Sequence, residues 1–385
     1  MVTAVQARGP SFAEVVALGA EITWKKAVAN VVHVTPDYAA LVQLHRPVGF
    51  ALRIGPYHGS GALADDAHAV RQLTGVAQEL IATARKNGLS PVELQIDYDC
   101  ATARLGDYTR WLAQVQRQLA PLPVTITALP AWLDSPAFAP LAARASNYVL
   151  QVHSLVKPER LDRPFTLCDP QVAQTAVDQA ARLGVPFRVA LPTYSYLVAF
   201  GPDGRFVGLA AETGMVNWPA KAEIREMTAD PVALGRLVRQ WSAARPDTLR
   251  GVIWYRLPVD VDNLNWRWRT LSAIVGGKVP QRHGFAEIHP AANGSVEVWL
   301  VNDGEVDVHG PLTVTARWKS ARLVAGDGLG GFEMNESDAR VATFNRPDPV
   351  FRLRAGERQS VGWLRLDGTN ILQQLDLKTD ELEKN

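Results

Sequence analysis

The sequence predicts an α/β fold, namely a (β/α)8 barrel of the TIM type followed by a small C-terminal β-sandwich. Strand-like and helix-like segments alternate through roughly residue 276, which is typical of a parallel sheet covered by helices. This segment has the length of such a barrel. The glycine-rich phosphate loop that is typical of an open nucleotide-binding sheet does not occur in it. From about Gly284, short alternating strands between Asn, Asp and Gly turns predict the sandwich.

The 385 residues are too many for one ordinary core, so two domains are expected. We place the barrel at residues 1–280, the sandwich at 284–370 and a charged tail at 371–385, frayed from Asp376 onward. A content of 47% hydrophobic and 21% charged residues is typical of globular proteins.

Charge and cysteine content exclude several classes of function. Lys and Arg number 40 against 39 Asp and Glu, so no basic excess favours nucleic acid or an anionic membrane as partner. No apolar run is long enough to span a membrane, and residues 1–20 lack a signal-peptide pattern. As written, the chain is expected in the cytoplasm, or exported if its true start lies upstream. Cys100 and Cys168 form no disulfide framework or zinc cluster, and are either two buried thiols or one bridge.

Seven segments have the composition of barrel strands, one fewer than a (β/α)8 barrel requires. They are Val15 to Trp24, Val48 to Ile54, Val92 to Asp99, Val124 to Leu129, Asn147 to Ser154, Phe187 to Tyr196 and Gly251 to Pro258. Either Val2 to Ala7 is a poor first strand or the first strand precedes Met1, and we favour the second.

Capping residues place the helices between these strands. Asp65 or Asp66 begins a helix that ends before Gly88. Asp169-Pro170 begins a second helix, which Gly184 ends. Asp230-Pro231 begins a third, which runs to about Arg245. The apolar spacing predicts further helices at 105–119 and 263–275.

The strand from Val92 to Asp99 carries the strongest functional signal. It alternates strictly, so Glu93, Gln95, Asp97 and Asp99 share one face. A TIM barrel keeps its chemistry at the carboxyl ends of its strands. Asp97 and Asp99 are therefore the chemical candidates, and Glu93, at the closed end, is expected to be structural.

Asp97 and Asp99 fit the paired carboxylates of a glycosidase. Their Cα atoms are expected about 6.5–7 Å apart, and carboxyl groups so placed can reach the separation of roughly 5–9.5 Å found in glycosidases. Two neighbouring negative charges also raise one pKa, as a general acid requires. We predict Asp97, Asp99 and Glu21 as catalytic residues.

The strand ends and the loops after them supply candidate substrate-binding residues for a carbohydrate ligand, with no cofactor and no metal expected. These are Arg53, His153, Tyr194, Trp254, Arg256, Trp132 and Gln95. The tryptophans can stack on the apolar faces of sugar rings.

Structural roles for the same residues stay open. The aspartates can form an ion cluster with Arg53 and Arg256, and Glu21 can pair with Arg53. His153 can be a core histidine and Tyr194 a packing residue.

Several motifs resemble a bacterial family of uncharacterised proteins, the domain of unknown function 3142. They are residues 94–105 with Tyr108 and 111–112, Thr127 to Trp132, Gln151 to His153, and Val189 to Tyr194. The resemblance covers most of residues 15–275 and implies a glycosidase-like (β/α)8 barrel without naming a substrate. Its members often carry an upstream Trp-rich strand and an export signal.

More distantly, the strand resembles the Asp-x-Asp-x-Glu strand of chitinase-type barrels. Gln95, Asp97 and Asp99 occupy those three places. Asp99 stands where the general acid stands but is shorter by a methylene, and Gln95 replaces an acid. Both departures leave the substrate-assisted mechanism of those enzymes open.

We therefore expect a glycoside hydrolase that acts on a bacterial poly- or oligosaccharide. The alternative is a non-catalytic glycan- or envelope-associated binding protein on a degenerate barrel. A deep cleft with carboxylates free of arginine favours the enzyme, and a shallow groove with both aspartates paired to arginines favours binding. A metal-dependent hydrolase such as a polysaccharide deacetylase requires His153 beside the aspartates.

Overall fold

The fold is described from a computed structural model that covers residues 2–25, 28–57, 63–154, 158–163, 165–211, 217–291, 294–348, 351–368 and 370–379. The chain divides into two compact units, residues 1–266 and 267–385. Each unit is described by itself.

The first unit alternates strands and helices as predicted. Its strands are β1 Val15–Lys25, β2 Val28–His33, β3 Val48–Ile54, β4 Leu94–Tyr98, β5 Val124–Ala128, β6 Tyr148–Gln151, β7 Phe187–Pro192, β8 Ser195–Phe200, β9 Phe206–Ala210, β10 Glu223–Thr228 and β11 Leu249–Tyr255. Its α-helices are α1 Val2–Arg8, α2 Tyr38–Gln43, α3 Ala67–Lys86, α4 Leu105–Leu119, α5 Phe138–Arg144, α6 Pro170–Arg182 and α7 Pro231–Ala243.

One sheet of eight strands organises the first unit, in the order β11-β7-β6-β5-β4-β3-β1-β2. The seven predicted strands are parallel to one another, and β2 pairs antiparallel with β1. The hydroxyl of Tyr255 on β11 lies 3.3 Å from a guanidinium nitrogen of Arg53 on β3. These strands are five pairing steps apart, about 24 Å in a flat sheet. The sheet therefore curls, which confirms the predicted barrel.

The predicted helix boundaries follow from their caps. Asp66, Asp169 and Asp230 each accept hydrogen bonds from backbone N–H groups of the first helical turn. Gly88 and Gly184 follow α3 and α6 with φ of 87° and 69°, a left-handed conformation that favours glycine. These signals are local, so the sequence alone located them.

Two segments of the first unit differ from the sequence-based prediction. Val2 to Ala7, considered as a poor first strand, belongs to helix α1. Phe187 to Tyr196, predicted as one strand, is divided at Thr193 and Tyr194. The part after the break, β8, pairs with β9 and β10 in a separate three-stranded antiparallel sheet.

The second unit is mostly antiparallel, which confirms the predicted β-sandwich. Its elements are α8 Trp268–Val275, β12 Phe285–Pro290, β13 Ser295–Val301, β14 Val308–His309, β15 Leu312–Arg317, β16 Arg322–Gly328, β17 Glu333–Asp338, β18 Val341–Arg346, β19 Arg352–Leu353, β20 Arg358–Asp367, α9 Ile371–Gln374 and β21 Asp376–Thr379. The helix predicted at 263–275 thus begins only at Trp268.

Two four-stranded sheets, β12-β13-β20-β16 and β17-β18-β15-β21, share one apolar core. A Cβ atom at Gly362 of the first sheet would lie 2.1 Å from Phe344 of the second. Glycine at this position therefore permits the close approach of the two layers. The tail was expected to fray from Asp376, but residues 376–379 pair with β15. Residues 380–385 lie outside the described part of the chain.

Candidate active site at the carboxyl ends of the barrel strands

Three charged side chains form a row across neighbouring strands. Glu21, Arg53 and Asp97 are partners in the register of β1, β3 and β4, so their side chains share one face of the sheet. Arg53 Nε lies 3.1 Å from Asp97 Oδ2, and its Nη1 lies 3.4 Å from Glu21 Oε1. The structure thus brings together three residues that the sequence placed in the site.

Asp97 is held through both of its carboxylate oxygens. Oδ2 accepts the hydrogen bond from Arg53, and Oδ1 accepts one of 3.0 Å from the Thr127 hydroxyl at the end of β5. The side chain of Asp97 is 23% exposed and that of Arg53 is 44% exposed. The Arg53–Asp97 pair is therefore partly open to solvent, while the hydrogen bonds from Arg53 and Thr127 fix the orientation of the Asp97 carboxylate.

Asp99 follows β4 and differs from its neighbour. The residue is exposed, and within the described residues no hydrogen bond or ion pair reaches its carboxyl group. Desolvation raises the pKa of this carboxyl, the negative charge of Asp97 raises it further, and Arg53 opposes the rise. Asp99 is therefore the carboxyl of this pair that binds a proton more readily than a free aspartate does.

Gln95 lies one side-chain position deeper on the same face of β4. Its Oε1 atom is buried, and it has no hydrogen-bond partner among the side chains and backbone that the structure describes. An acceptor in this state is unfavourable unless water or a ligand donates to it. Gln95 therefore supplies an acceptor beneath the two aspartates.

An aromatic cluster adjoins the charged row. The ring of Tyr255, at the end of β11, is stacked on His153 at 6.0 Å and is edge-on to Tyr194 at 5.6 Å. His153 Nδ1 lies 3.2 Å from the Tyr194 hydroxyl, which contacts the Tyr196 hydroxyl at 3.2 Å. Tyr196 in turn lies 3.0 Å from the Ser154 hydroxyl. Tyr255, 42% exposed, joins this cluster to Arg53.

His153 is almost fully buried, at 4% exposure. Desolvation lowers its pKa to about 3, so the imidazole is neutral over the physiological pH range. Its ring contacts are tyrosines, and the described residues contain no group of three or more His, Cys, Asp or Glu side chains arranged to hold a metal ion. The metal-dependent hydrolase therefore gains no support from this geometry.

Three predicted substrate-binding residues lie elsewhere. Trp132 is 1% exposed, and its indole donates to the backbone oxygen of Cys100, so no face of the ring is open to a ligand. Trp254 packs against Trp266. Arg256 pairs at 2.7 Å with Asp262, so it does not form the ion cluster expected with Asp97 and Asp99.

Sequence reasoning missed Thr127, Tyr255 and the link through Tyr196. The alternation of β11 held the signal for Tyr255, because neighbouring residues of a strand point to opposite faces. We predicted Trp254, but the structure turns Tyr255 to the Arg53 side and Trp254 to the other. Both cysteines are buried free thiols, so the bridge considered for them is absent.

The opposite end of β4 carries a separate ion cluster. Arg188 of β7 reaches both carboxylate oxygens of Glu93, at 2.8 and 2.7 Å, and Glu14 Oε2 at 3.5 Å. Glu93 Oε2 also accepts a 2.7 Å hydrogen bond from the Thr125 hydroxyl. The structural role expected for Glu93 agrees with its burial and with the pairing of both of its carboxylate oxygens.

The family comparison agrees with these motifs. The model of the domain of unknown function DUF3142 matches residues 46–260, more than half of the chain, and the protein belongs to this family. A second model, the domain of unknown function DUF8456, matches residues 286–367 in the second unit.

Solved structures with a similar fold include chitinases. A chitinase from Chromobacterium violaceum is 14% identical, with a TM-score of 0.50 over 73% of this chain and 95% of that chain. A chitinase from Bacillus thuringiensis is 9% identical, with a TM-score of 0.48 over 97% of this chain and 96% of that one. At such identities the likeness concerns the fold alone, and it agrees with the barrel described above.

No curated protein matches the sequence. Among the helices that the structure describes, none combines the length and apolar character needed to cross a membrane.

Proposed function

We propose that the protein is a glycoside hydrolase that acts on a bacterial poly- or oligosaccharide, with Asp99 as its general acid. One observation carries this proposal. Asp99 lies at the carboxyl end of a barrel strand, has no partner among the described residues, and has a pKa raised by partial desolvation and by the negative charge of Asp97. Such a carboxyl retains a proton to donate at higher pH than a free aspartate does.

The reaction follows from the roles of the two carboxyl groups. Protonated Asp99 donates to the glycosidic oxygen while the bond from that oxygen to the anomeric carbon breaks. The negative charge of Asp97, oriented by Arg53 and Thr127, stabilises the positive charge that develops on the sugar ring. Water then adds to the anomeric carbon, and ionised Asp99 accepts its proton.

Residues around the aspartates position the substrate in this proposal. The exposed ring of Tyr255 offers an apolar face to a sugar ring. The side chain of Arg53 is 44% exposed, and the acceptor of Gln95 lies below. Glu21, paired with Arg53, is the further candidate carboxylate and keeps the guanidinium in place.

The second candidate function is glycan binding without hydrolysis on a degenerate barrel. The Arg53–Asp97 pair and the amide at Gln95, in place of an acid, favour it. Pairing of both aspartates to arginines would favour glycan binding, but Asp97 is paired to arginine and Asp99 is not. The proposal of catalysis therefore depends on Asp99.

A hydrolysis screen tests the proposal. The parent, Asp99→Asn and Asp97→Asn are incubated with a panel of bacterial polysaccharides, including peptidoglycan, and new reducing ends are quantified. We expect Asp99→Asn to lose about 10²- to 10⁴-fold in rate, the usual contribution of a general acid. Asp178→Asn, which changes an exposed carboxylate on α6, should behave as the parent does.

The outcomes separate the two functions. Unchanged turnover in Asp99→Asn contradicts the assignment of the acid. A parent that binds a glycan of the panel without cleaving it, and loses that binding when Tyr255 is replaced by Ala, supports the binding protein instead. Circular dichroism of each variant verifies that its fold is intact.

A further inference from the structure

The outer face of the sheet β12-β13-β20-β16 carries two tryptophans in the second unit. Val296, Val298 and Leu300 of β13 point into the core, so the residues between them point outward. The register aligns the outward residues in rows across the strands, and two of these rows contain the tryptophans. The first row is His289, Glu297, Trp363 and Asp327, and the second is Glu287, Trp299 and Ser360.

Trp363 lies at the centre of the first row. Glu297 on β13 and Asp327 on β16 are its direct cross-strand neighbours, one on each side. The indole is half-buried, and within the described residues no hydrogen bond or ring contact engages it. Its N–H group and part of its ring surface are therefore open to a ligand.

Trp299 is held in position by its neighbours. Its indole N–H donates to Glu297 Oε2 at 2.9 Å, and the ring of His289 lies edge-on at 6.1 Å. The Arg358 guanidinium lies 5.2 Å from the centre of the indole ring, a cation–π contact. These contacts restrict the ring before any ligand binds, which lowers the entropic cost of binding.

The chemistry of this face fits a sugar. Aromatic rings alternate with hydrogen-bonding groups of both charges, and a pyranose likewise combines apolar ring faces with hydroxyl edges. On this face three carboxylates outnumber the guanidinium groups of Arg358 and Arg365, so no excess of positive charge attracts a polyanion. The carboxylates are those of Glu287, Glu297 and Asp327. An apolar surface of a partner protein does not fit this face, because it would bury the charged groups on each side of Trp363.

We propose that this face binds a neutral polysaccharide, as a second glycan site in addition to the barrel. The sugar stacks on Trp363, Trp299 extends the platform along the neighbouring row, and the flanking carboxylates accept hydrogen bonds from sugar hydroxyls. This inference goes beyond the proposed hydrolase function and does not depend on it, because binding here requires no catalysis.

Affinity electrophoresis of the full chain tests the proposal. Native gels contain hydroxyethyl cellulose, glycol chitin or soluble xylan as neutral probes, and alginate as an acidic one. We expect Trp363→Ala to weaken binding to at least one neutral probe by about tenfold or more, as truncation of a central aromatic contact does. Trp299→Ala should weaken it less, and Trp363→Phe, which keeps a ring, should lie between parent and Trp363→Ala.

Leu372→Ala is the matched control, because Leu372 is an exposed apolar side chain of the same unit, 46% exposed on α9. It should bind as the parent does. Asp178→Asn, which changes an exposed carboxylate of the first unit outside the proposed catalytic site, should also bind as the parent does. The gels measure binding and the hydrolysis screen measures cleavage, so a failure of the hydrolase proposal is distinguishable from a failure of this one. A parent retarded by none of the neutral probes, or a Trp363→Ala protein retarded as strongly as the parent, overturns the proposal.

Discussion

The two ends of strand β4 carry carboxylates on the same face, but these carboxylates differ in burial and in pairing. At the amino end, Glu93 is buried, with its side chain 6% exposed, and Arg188 and Thr125 occupy its oxygens. At the carboxyl end, Asp97 is paired with a half-exposed Arg53, and the described residues give Asp99 no partner.

This difference shows where the barrel uses charge for stability and where it keeps charge for a ligand. A buried carboxylate must be fully paired, because an unpaired charge in the interior is costly. A carboxylate at the open end can remain without a protein partner because water reaches it. One alternating strand thus serves both purposes along its length.

The largest expected effect comes from removing the arginine at each end. Arg188→Met leaves Glu93 and Glu14 without their cation and should cost about 3–5 kcal/mol of unfolding free energy, the range for breaking a buried pair. Arg53→Met, at a side chain that is 44% exposed, should cost less than about 1 kcal/mol. Urea unfolding at neutral pH measures both. Equal losses would remove the distinction between the two ends.

His153 belongs to the aromatic cluster at the open end, and it is buried. The pH dependence of stability therefore tests whether a charge on its imidazole is costly in the folded protein. Its native pKa of about 3 is below the unfolded value, so its stabilising contribution is complete above about pH 6.5 and is lost as the pH falls. The free energy of unfolding should fall by up to about 1.4 kcal/mol per pH unit in this window. His153→Gln should lack this component, as urea unfolding between pH 7.5 and 4.5 reveals. Parallel pH profiles for the two proteins would contradict the prediction.

The proton affinity of Asp99 should respond in opposite directions to its two charged neighbours. Asp97→Asn removes a negative charge and should lower the pKa of Asp99, whereas Arg53→Met removes the opposing positive charge and should raise it. Carbon-13 NMR titration of the aspartate carboxyl groups measures both shifts. Asp178→Asn should leave the titration unchanged, and a pKa that moves in the same direction in both variants would show that another group controls it.

The smallest expected effect concerns Glu14 at the closed end. Burial raises the pKa of its carboxyl, and Glu93 raises it further, against the opposing effect of Arg188. The native state therefore loses stability as the pH rises from below the unfolded pKa of Glu14 through its native value. Glu14→Gln should be more stable than the parent by about 0.2–1 kcal/mol at neutral pH, the scale on which neighbouring like charges destabilise secondary structure. Thermal unfolding should show this gain shrinking in acid; a gain that persists at low pH would have another cause.

The sequence predicted the features that depend on local chemistry. Asp169-Pro170 and Asp230-Pro231 begin helices because an Asp cap and a first-position Pro act within one turn. The alternation of Val92 to Asp99 located the strand and assigned Glu93 and Asp97 to opposite ends of one face. The sequence also placed Glu21, Arg53 and Asp97 near the carboxyl ends of their strands, and the register of the three strands then aligns them.

The rest depended on contacts between distant segments. Trp254 and Tyr255 are adjacent, and only the pairing of β11 decides which one points to Arg53. Trp132 looked like a sugar platform, but α4 and α5 bury it against Tyr108 and Phe138. The break after Pro192 was missed because β8 continues the same apolar composition in a different sheet.

The two anchors of Asp97 have a consequence for the timing of any reaction at this site. Because Arg53 and Thr127 each hold a different oxygen, the carboxylate plane is set when the protein folds. A ligand arriving at the barrel mouth meets a dipolar environment that is already oriented, and little solvent or side-chain rearrangement accompanies the movement of charge. Thr127, a residue with no reactive chemistry of its own, thus contributes to the preorganisation of the site before a ligand binds.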